Sequence, residues 1–446
     1  MLENKDTIFA LASGFIKAGI SVIRISGNDS REVFTKLTGK EIPETHKATL
    51  CKLKNTEGTL LDEAICIYFQ SPNSYTGEDV LELQIHGGRA VVKTLLAELG
   101  KIKGLRLAER GEFTKRAVLN GKMDITEAEG INDLINAETY QQVRQALKQM
   151  GGELSSLYDS WRTGIIHILA FTEAYIDFPE EEIPSDIETR ISDKIRGLQQ
   201  EIKQHLCDDR GQKLRDGYNV AIIGAVNAGK SSLLNKLVKK EAAIVSSMEG
   251  TTRDVVEVFM DLNGFPVIFA DTAGLRETAD IVEQEGIRRA LIRANNADLK
   301  LAVFDGSKED FDEETLKQTD DKTLIIINKQ DITTKENKEK AKLKFGEKAV
   351  FISTENETDI KYLLDLIENK VRSELEVREA PAMTQLRHKD LLQKTLEALT
   401  RAEKDIEIDL KAEDLRLAAR YLGKITGSID VEEILDVVFK EFCIGK

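Results

Sequence analysis

Cysteine is scarce in this 446-residue chain. Cys51, Cys66, Cys207 and Cys443 are the four present, and no two form a C-x-x-C pair. That spacing excludes zinc ribbons and thioredoxin-like redox centres and points to a reducing, cytoplasmic setting. Six prolines leave little room for long extended linkers. Positive charge is also short: 63 Lys and Arg stand against 78 Asp and Glu, a net charge of −15. A uniformly basic nucleic-acid surface is thereby excluded, so any RNA contact must be a local patch or be shared with a partner. No stretch approaches the roughly 18 consecutive apolar residues of a membrane span. The opening MLENKDTIFALASG mixes acidic with basic residues over a short apolar run. It fits neither a secretory signal nor a transit peptide, so no membrane partner is expected.

At 41% hydrophobic and 32% charged, the composition is that of a globular, multidomain chain. Three textures follow one another. Residues 1–118 mix strand-like runs (ISVIRISG, AICIYF, VLELQIHGG) with the helical AVVKTLLAELG, which predicts an α+β domain. Residues 119–214 carry apolar residues at helical spacing: Ile131, Leu134 and Ile135, then Val143, Leu147 and Met150. From 215 to 376 the runs NVAIIGA, FPVIFADTAG, LKLAVFDG, TLIIINKQD and AVFIST alternate with helical segments. Such short, continuous apolar runs predict a mostly parallel sheet covered on both faces. The pair VVEVFMDL-NG-FPVIFA differs, because Asn263-Gly264 is a hairpin signal, so one strand should run antiparallel. Residues 377–446 are helical again, with a stripe at Leu391, Leu392, Leu396 and Leu399. The expected fold is multidomain α/β and α+β, with a nucleotide-binding domain inserted between two halves of a helical domain.

The chemistry is concentrated in the inserted domain. GAVNAGKSS, residues 224–232, follows an apolar strand and precedes the helical LLNKL. It fits the phosphate-loop pattern G-x-x-x-x-G-K-S in its required strand–loop–helix context. Gly224 and Gly229 let the backbone curl, so that the N–H groups of Asn227, Ala228, Gly229, Lys230, Ser231 and Ser232 can face phosphate oxygens. Lys230 is expected on the β- and γ-phosphates and Ser231 on magnesium. Thr252, directly, and Asp271, through water, would complete the magnesium shell. In DTAG, residues 271–274, Gly274 N–H would sense the γ-phosphate beside Thr272 and Ala273. NKQD, residues 328–331, follows a strand. The Asp331 carboxylate can accept from the two donors of guanine's Watson–Crick edge, a pair that adenine lacks. Lys329 would lie against the base, Asn328 would tie loops together, and Ser353-Thr354 would form the last base-contacting loop.

One residue type is missing from this set. DTAG is followed by Leu275 and then Arg276, where many small GTPases keep a glutamine that orients the attacking water. The charge on the γ-phosphate must still be balanced. An arginine finger from Arg276 or Arg253 is one solution. The other is a monovalent cation held by the Asn227 side chain and by carbonyls of SSMEGT: Ser246, Ser247, Met248, Glu249, Gly250 and Thr251. Glu283, twelve residues after Asp271, could position the water.

GAVNAGKSS, EGTTRD, DTAGLRE, NKQD and the terminal CIGK together resemble the MnmE (TrmE) family of tRNA-modifying GTPases. The resemblance runs along the whole chain, through VIRISG, PNSYTGEDVLELQIHGG, GEFTKRAVLNGKMD and IDFPEEEI. It implies that residues 1–118 form a dimerising tetrahydrofolate-binding module and that a Ras-like G domain splits the helical domain. It implies contacts to a 5-formyl or methylene tetrahydrofolate at Arg24, Glu82, Lys122 and Lys446, with the C-terminal tail returning to that site and Cys443 as a candidate reactive thiol. It further implies potassium at Asn227, Ser246, Met248 and Thr251, G domains paired face to face in a homodimer, Glu283 orienting water, and Arg276 as a switch residue. The chemistry implied is GTP turnover to GDP coupled to C5 modification of the wobble uridine of certain tRNAs. The product would be an aminomethyl or carboxymethylaminomethyl group, made with the FAD- and NADH-using partner MnmG. In one stretch the chain departs from the family: SGFIKAGIS, residues 13–21, stands where a glycine- and proline-rich turn is usual. Two other classes compete. A ribosome-assembly or regulatory GTPase shares the G motifs but not VIRISG or CIGK. A one-carbon transferase with a degenerate G domain conflicts with the complete phosphate loop.

Overall fold

A computed structural model describes residues 6–177, 187–240, 257–271, 294–376, 381–404, 407–429, 435, 438–439 and 442–445. The contacts divide the chain into two compact units. One gathers residues 1–132, 149–200 and 391–446; the other gathers 133–148 and 201–390.

The first unit opens with six strands: β1 (Thr7–Leu11), β2 (Ile20–Ser26), β3 (Thr49–Lys54), β4 (Leu60–Phe69), β5 (Val80–His86) and β6 (Leu105–Leu107). They form one sheet in the order β3-β4-β5-β2-β1-β6, antiparallel except where β6 runs parallel to β1. Two helices, α1 (Ser30–Thr38) and α2 (Arg89–Gly100), cover one face. Strand residues alternate, so Ile23, Ile25, Leu81, Leu83 and Ile85 enter a core with Val33, Phe34, Leu95 and Leu99. Each such side chain contributes about 1.5–3 kcal/mol by leaving water.

A short α3 (Glu112–Leu119) follows, and its sequence GEFTKR turns out to be a buried ionic network. Glu112 accepts from Arg106 at 2.6 and 2.8 Å and from Arg116 at 3.0 Å. Arg116, 2% exposed, also donates to Glu78 at 3.0 Å and to the Asp6 carbonyl at 3.0 Å. Burial alone would raise the Glu112 carboxyl, but bonds from Arg106, the Glu109 N–H and Arg116 outweigh it and bring it to about 2. A depressed folded-state value stabilises above the unfolded value, near 4.5, and is lost as pH falls through about 2. Glu112→Gln should therefore cost about 3 kcal/mol at neutral pH, with the difference shrinking below pH 4.5. Urea unfolding followed through Trp161, the single tryptophan and buried in this unit, measures it. A pH-independent difference would contradict the network's role.

The helical part of this unit packs α6 (Glu153–Asp177) along a helix at Ile408–Thr426. Leu154, Tyr158, Trp161, Ile165 and Ile168 form the buried ridge of α6, and Ala412, Leu415, Ala418 and Leu422 answer it. The helix Leu386–Ala402 buries Leu392, Thr395, Leu399 and Ala402. The expected helices α4 (Ile125–Asn136) and α5 (Tyr140–Met150) form. Their apolar stripe is not the buried face, however: Ile135, Leu147 and Met150 are exposed, whereas Ala128, Ala146 and Gln149 are buried.

After α7 (Ile187–Leu206), the second unit carries α8 (Arg210–Asp216), β7 (Tyr218–Ile223), α9 (Lys230–Lys240), β8 (Glu257–Leu262), β9 (Phe265–Asp271), β10 (Leu299–Asp305), β11 (Thr323–Asn328) and β12 (Ala349–Phe351). The sheet order is β12-β11-β10-β7-β9-β8. Every pairing is parallel except β8 with β9, the antiparallel strand that Asn263-Gly264 predicts. Both turn residues take positive φ, 49° and 90°. Successive residues of β7 fall into different cores: Val220 and Ile222 pack with Leu233, Phe269 and Leu363, and Ala221 and Ile223 with Phe304 and Ile327. Burial on both faces is why these strands read as unbroken apolar runs. The carboxyl ends of β7, β10 and β11 open onto one edge, where parallel α/β sheets bind ligands. Among the described residues, no helix is long and apolar enough to cross a membrane.

Candidate functional site

The phosphate loop leaves β7 at Gly224 and enters α9 at Lys230. Three of its residues need unusual backbone: Gly224 at φ 152°, Asn227 at 64° and Gly229 at 99°. At Gly224 a Cβ would lie 2.3 Å from the Val303 carbonyl oxygen, and at Gly229 it would lie 2.2 Å from Asn328 Nδ2. Both glycines are therefore demanded by close packing as well as by torsion. The Lys230 ammonium curls under the loop and donates to the Gly224 and Ala225 carbonyls at 2.7 and 2.9 Å. Lys230 is buried, and Ser231 and Ser232 follow in the first turn of α9. That helix N-terminus and its N–H groups favour an anion. Asn227 is exposed, and no side chain or backbone group among the described residues bonds its amide.

The NKQD loop is tied to this loop at one atom pair. Asn328, fully buried, donates from Nδ2 to the Ala228 carbonyl at 2.9 Å and accepts the Thr354 N–H at Oδ1, 3.2 Å away. It thus joins the phosphate loop to the Ser353-Thr354 loop. Lys329 sits at φ 60° and its ammonium meets Asp305 Oδ2 at 2.6 Å. Asp331 is exposed at the loop's mouth. Ser353 is held from below: its N–H donates to Asp359 at 2.7 Å, and Asp359 also accepts from Gln330 Nε2.

Sequence reasoning did not single out Asp305 or Asp359. The first was in view, at the end of the strand LKLAVFDG; the second, in the first turn of the helix Glu357–Leu375, gave no signal. Burial alone would raise the Asp305 carboxyl. Bonds from Lys329 and from the Ser307 hydroxyl and N–H outweigh it and hold the carboxyl below the ordinary carboxylate range.

Several expected site residues lie outside the described residues: Ser246, Ser247, Met248, Glu249, Gly250, Thr251, Thr252, Thr272, Ala273, Gly274, Leu275, Arg276, Glu283, Arg253 and Lys446. Of Asp271 only the backbone, the last residue of β9, is described.

The N-terminal set comes together in part. Arg24 and Glu82 are opposite each other in the β2–β5 register and pair at 2.9 Å. The Arg24 guanidinium lies over the Tyr75 ring at 5.0 Å and the Phe113 ring at 5.7 Å. Tyr75, another residue that the sequence did not flag, bonds Thr114 at 2.8 Å. Lys122 donates to the Pro72 carbonyl at 3.0 Å, on the same 72–79 loop that carries Tyr75. The divergent loop 13–21 is anchored at both ends: Ser13 Oγ accepts the Val22 N–H at 3.1 Å, and Ala18 N–H donates to the Gly87 carbonyl at 3.3 Å. Phe15, Ile16 and Ile20 stand exposed on it.

The C-terminal tail reaches this region. Ile444 forms an antiparallel bridge with Arg110, and Gly111 N–H donates to the Cys443 carbonyl at 3.2 Å. Gly445 lies so close to β1 that a Cβ would be 2.1 Å from the Leu11 carbonyl oxygen. Phe439 and Phe442 anchor the tail in a cluster with Ile125 and Ala128, and Cys443 is left exposed.

Comparison with known proteins adds the following. The family described as GTP-binding protein TrmE N-terminus matches residues 7–122, and the MnmE helical domain matches residues 125–443. A tRNA modification GTPase MnmE of Paramagnetospirillum magneticum is 48% identical over 443 residues, covering 99% of this chain and all of that protein. Proteins of the same description from Parvibaculum lavamentivorans and Rickettsia rickettsii are 47% and 45% identical, again across 99% of this chain and their whole length.

Proposed function

Because this chain belongs to the MnmE family of tRNA modification GTPases, we propose that it couples GTP hydrolysis to modification of the wobble uridine of certain tRNAs at carbon 5. The protein is a GTP hydrolase. The finer reading is that a tetrahydrofolate one-carbon unit is used and that a flavin protein of the MnmG type takes part. It also has two copies of the chain pairing through the N-terminal and G domains in the cytoplasm. The observation that carries it is the linkage of both chemistries in one chain: a braced phosphate loop and NKQD loop in one unit, and an Arg24–Glu82 pair stacked on aromatic rings in the other.

In this reading Lys230 and the loop N–H groups hold the phosphates, Asp331 reads the guanine edge, and Glu283 orients water while Leu275 stays apolar. Magnesium at Ser231 and Thr252, and potassium at Asn227, Ser246, Met248 and Thr251, would supply positive charge against the phosphates as the last one leaves. The exposed Asn227 amide, unclaimed by any described residue, suits a cation ligand. Arg24 and Lys122 suit the carboxylates of a folate, and Glu82, with Lys446 on the tail, completes the polar set; Tyr75 and Phe113 offer faces to a planar ring.

Nucleoside mass spectrometry of tRNA from a strain lacking the gene tests the modification. C5-substituted wobble uridines should vanish and return on complementation; wobble uridines identical with and without the gene would remove this reading. Turnover should also be at least about 10-fold faster in potassium than in sodium, since the cation does work that an arginine finger does elsewhere. Equal rates in the two salts would return Asn227 to an ordinary turn residue.

A further inference from the structure

We propose that Asp305 is a positioning residue that, through Lys329, sets the affinity of the NKQD loop for the guanine base. The parallel register of β10 and β11 puts Asp305 directly beside Asn328, the first residue of that loop. Its Oδ2 meets the Lys329 ammonium at 2.6 Å, and its carboxylate is only 9% exposed. The other oxygen is occupied: Oδ1 accepts the Ser307 hydroxyl at 2.6 Å and the Ser307 N–H at 3.0 Å. The carboxylate is thus fixed in aim, with one oxygen left for the lysine.

Lys329 needs such a partner. It holds a left-handed backbone that a side-chain-bearing residue rarely adopts. A tethered ammonium holds its aliphatic stem in one conformation, ready to lie against a base. The flanking backbone is locked as well. Gly306 N–H donates to the Asn328 carbonyl at 2.9 Å, Thr333 Oγ1 donates to the Lys329 carbonyl at 2.8 Å, and Asn337 Nδ2 donates to the Gly306 carbonyl at 3.1 Å. A pre-set lysine saves the ordering cost that binding would otherwise pay, so its loss should fall on affinity and not on the chemical step.

The proposal rests on NKQD as the guanine-contacting loop. Asp305→Asn keeps the shape of the side chain and removes the charge that tethers Lys329. Fluorescent GDP and GTP should then bind about 10-fold more weakly, by the same factor for both. In GTP turnover the loss should appear in KM, with kcat moved less than about 2-fold. In a Lys329→Met background, Asp305→Asn should add nothing, because the group through which it acts is gone. Ser307→Ala, a milder change that leaves the charge in place but frees its aim, should give a smaller loss that is silent in the same background. Unchanged GDP affinity in Asp305→Asn would overturn the proposal. So would an equal further loss in the Lys329→Met background, which a merely structural carboxylate would give. If the parent failed to bind GDP, or Asp331→Asn kept its preference for guanine, the reading of NKQD itself would fall and this proposal with it. Parent binding with a response at Asp331 and none at Asp305 would remove only the role of Asp305.

Discussion

Asp331→Asn should turn a guanine-reading site into one that prefers xanthine, with GTP binding weakened by about 1,000-fold. A carboxylate accepts at both oxygens, which matches the two adjacent donors of guanine. An amide offers one acceptor and one donor. Against guanine its N–H₂ meets another donor and leaves both unpaired; against xanthine, whose second group is a carbonyl, the same amide pairs fully. The loop around Asp331 should not move, because its fixed points are elsewhere: Asn328 on Ala228 and Thr354, Lys329 on Asp305, and Gln330 N–H on the Ile352 carbonyl. The change is therefore one of recognition and not of folding. Competition titrations with GDP, XDP and ADP measure it, with thermal unfolding as the control. Retained guanine preference in a folded Asp331→Asn protein would show that another group reads the base.

Gly229→Ala should abolish useful nucleotide binding, by at least about 100-fold, although the side chain added is a single methyl group. Two costs combine. The backbone at Gly229 has φ 99°, a region that alanine avoids. The new Cβ would also stand 2.2 Å from Asn328 Nδ2. Asn328 cannot yield cheaply, because it is fully buried and its amide joins the phosphate loop to the Ser353-Thr354 loop. Either the phosphate loop shifts off its N–H geometry or the base-reading loops lose their common tie. Calorimetry with GDP and magnesium should give no measurable heat, while the first unit, followed through Trp161, unfolds as in the parent. Affinity within a few-fold of the parent would mean that the two loops are less tightly braced than this contact implies.

Much of this was legible in the sequence, for identifiable reasons. Strands buried on both faces carry no polar alternation, so β7, β10 and β11 stood out as unbroken apolar runs. Asn263-Gly264 announced the antiparallel strand because few other pairs tolerate two positive φ values. The phosphate loop was legible because its glycines, lysine and serine are contiguous. What stayed hidden was long-range. Glu112 and Arg116 were visible only as letters of GEFTKRAVLNGKMD; folding brings Glu78, Arg106 and the Asp6 carbonyl around them. Asp305 lacked a motif because the lysine it holds is 24 residues away, and Asp359 because its link from Ser353 to Gln330 exists only once the chain folds. Tyr75 was an unmarked loop residue until folding set its ring against the Arg24 guanidinium. Periodicity found the helices α4 and α5, but spacing reports which residues share a face and not which face is covered.

The bridge between Arg110 and Ile444 bears on how the polypeptide is made. The segment that lies against Gly111 and Leu11 leaves the ribosome long after the sheet it borders, and after every strand of the nucleotide-binding sheet. The N-terminal sheet has its own core from residues 9–99 and can form early; what waits is the patch at Ile125, Ala128 and Leu11 that Phe439, Phe442 and Gly445 cover. A message cut short upstream of Phe439 should yield a chain whose two sheets are formed and whose Ile125–Ala128 cluster is left bare for chaperones and proteases.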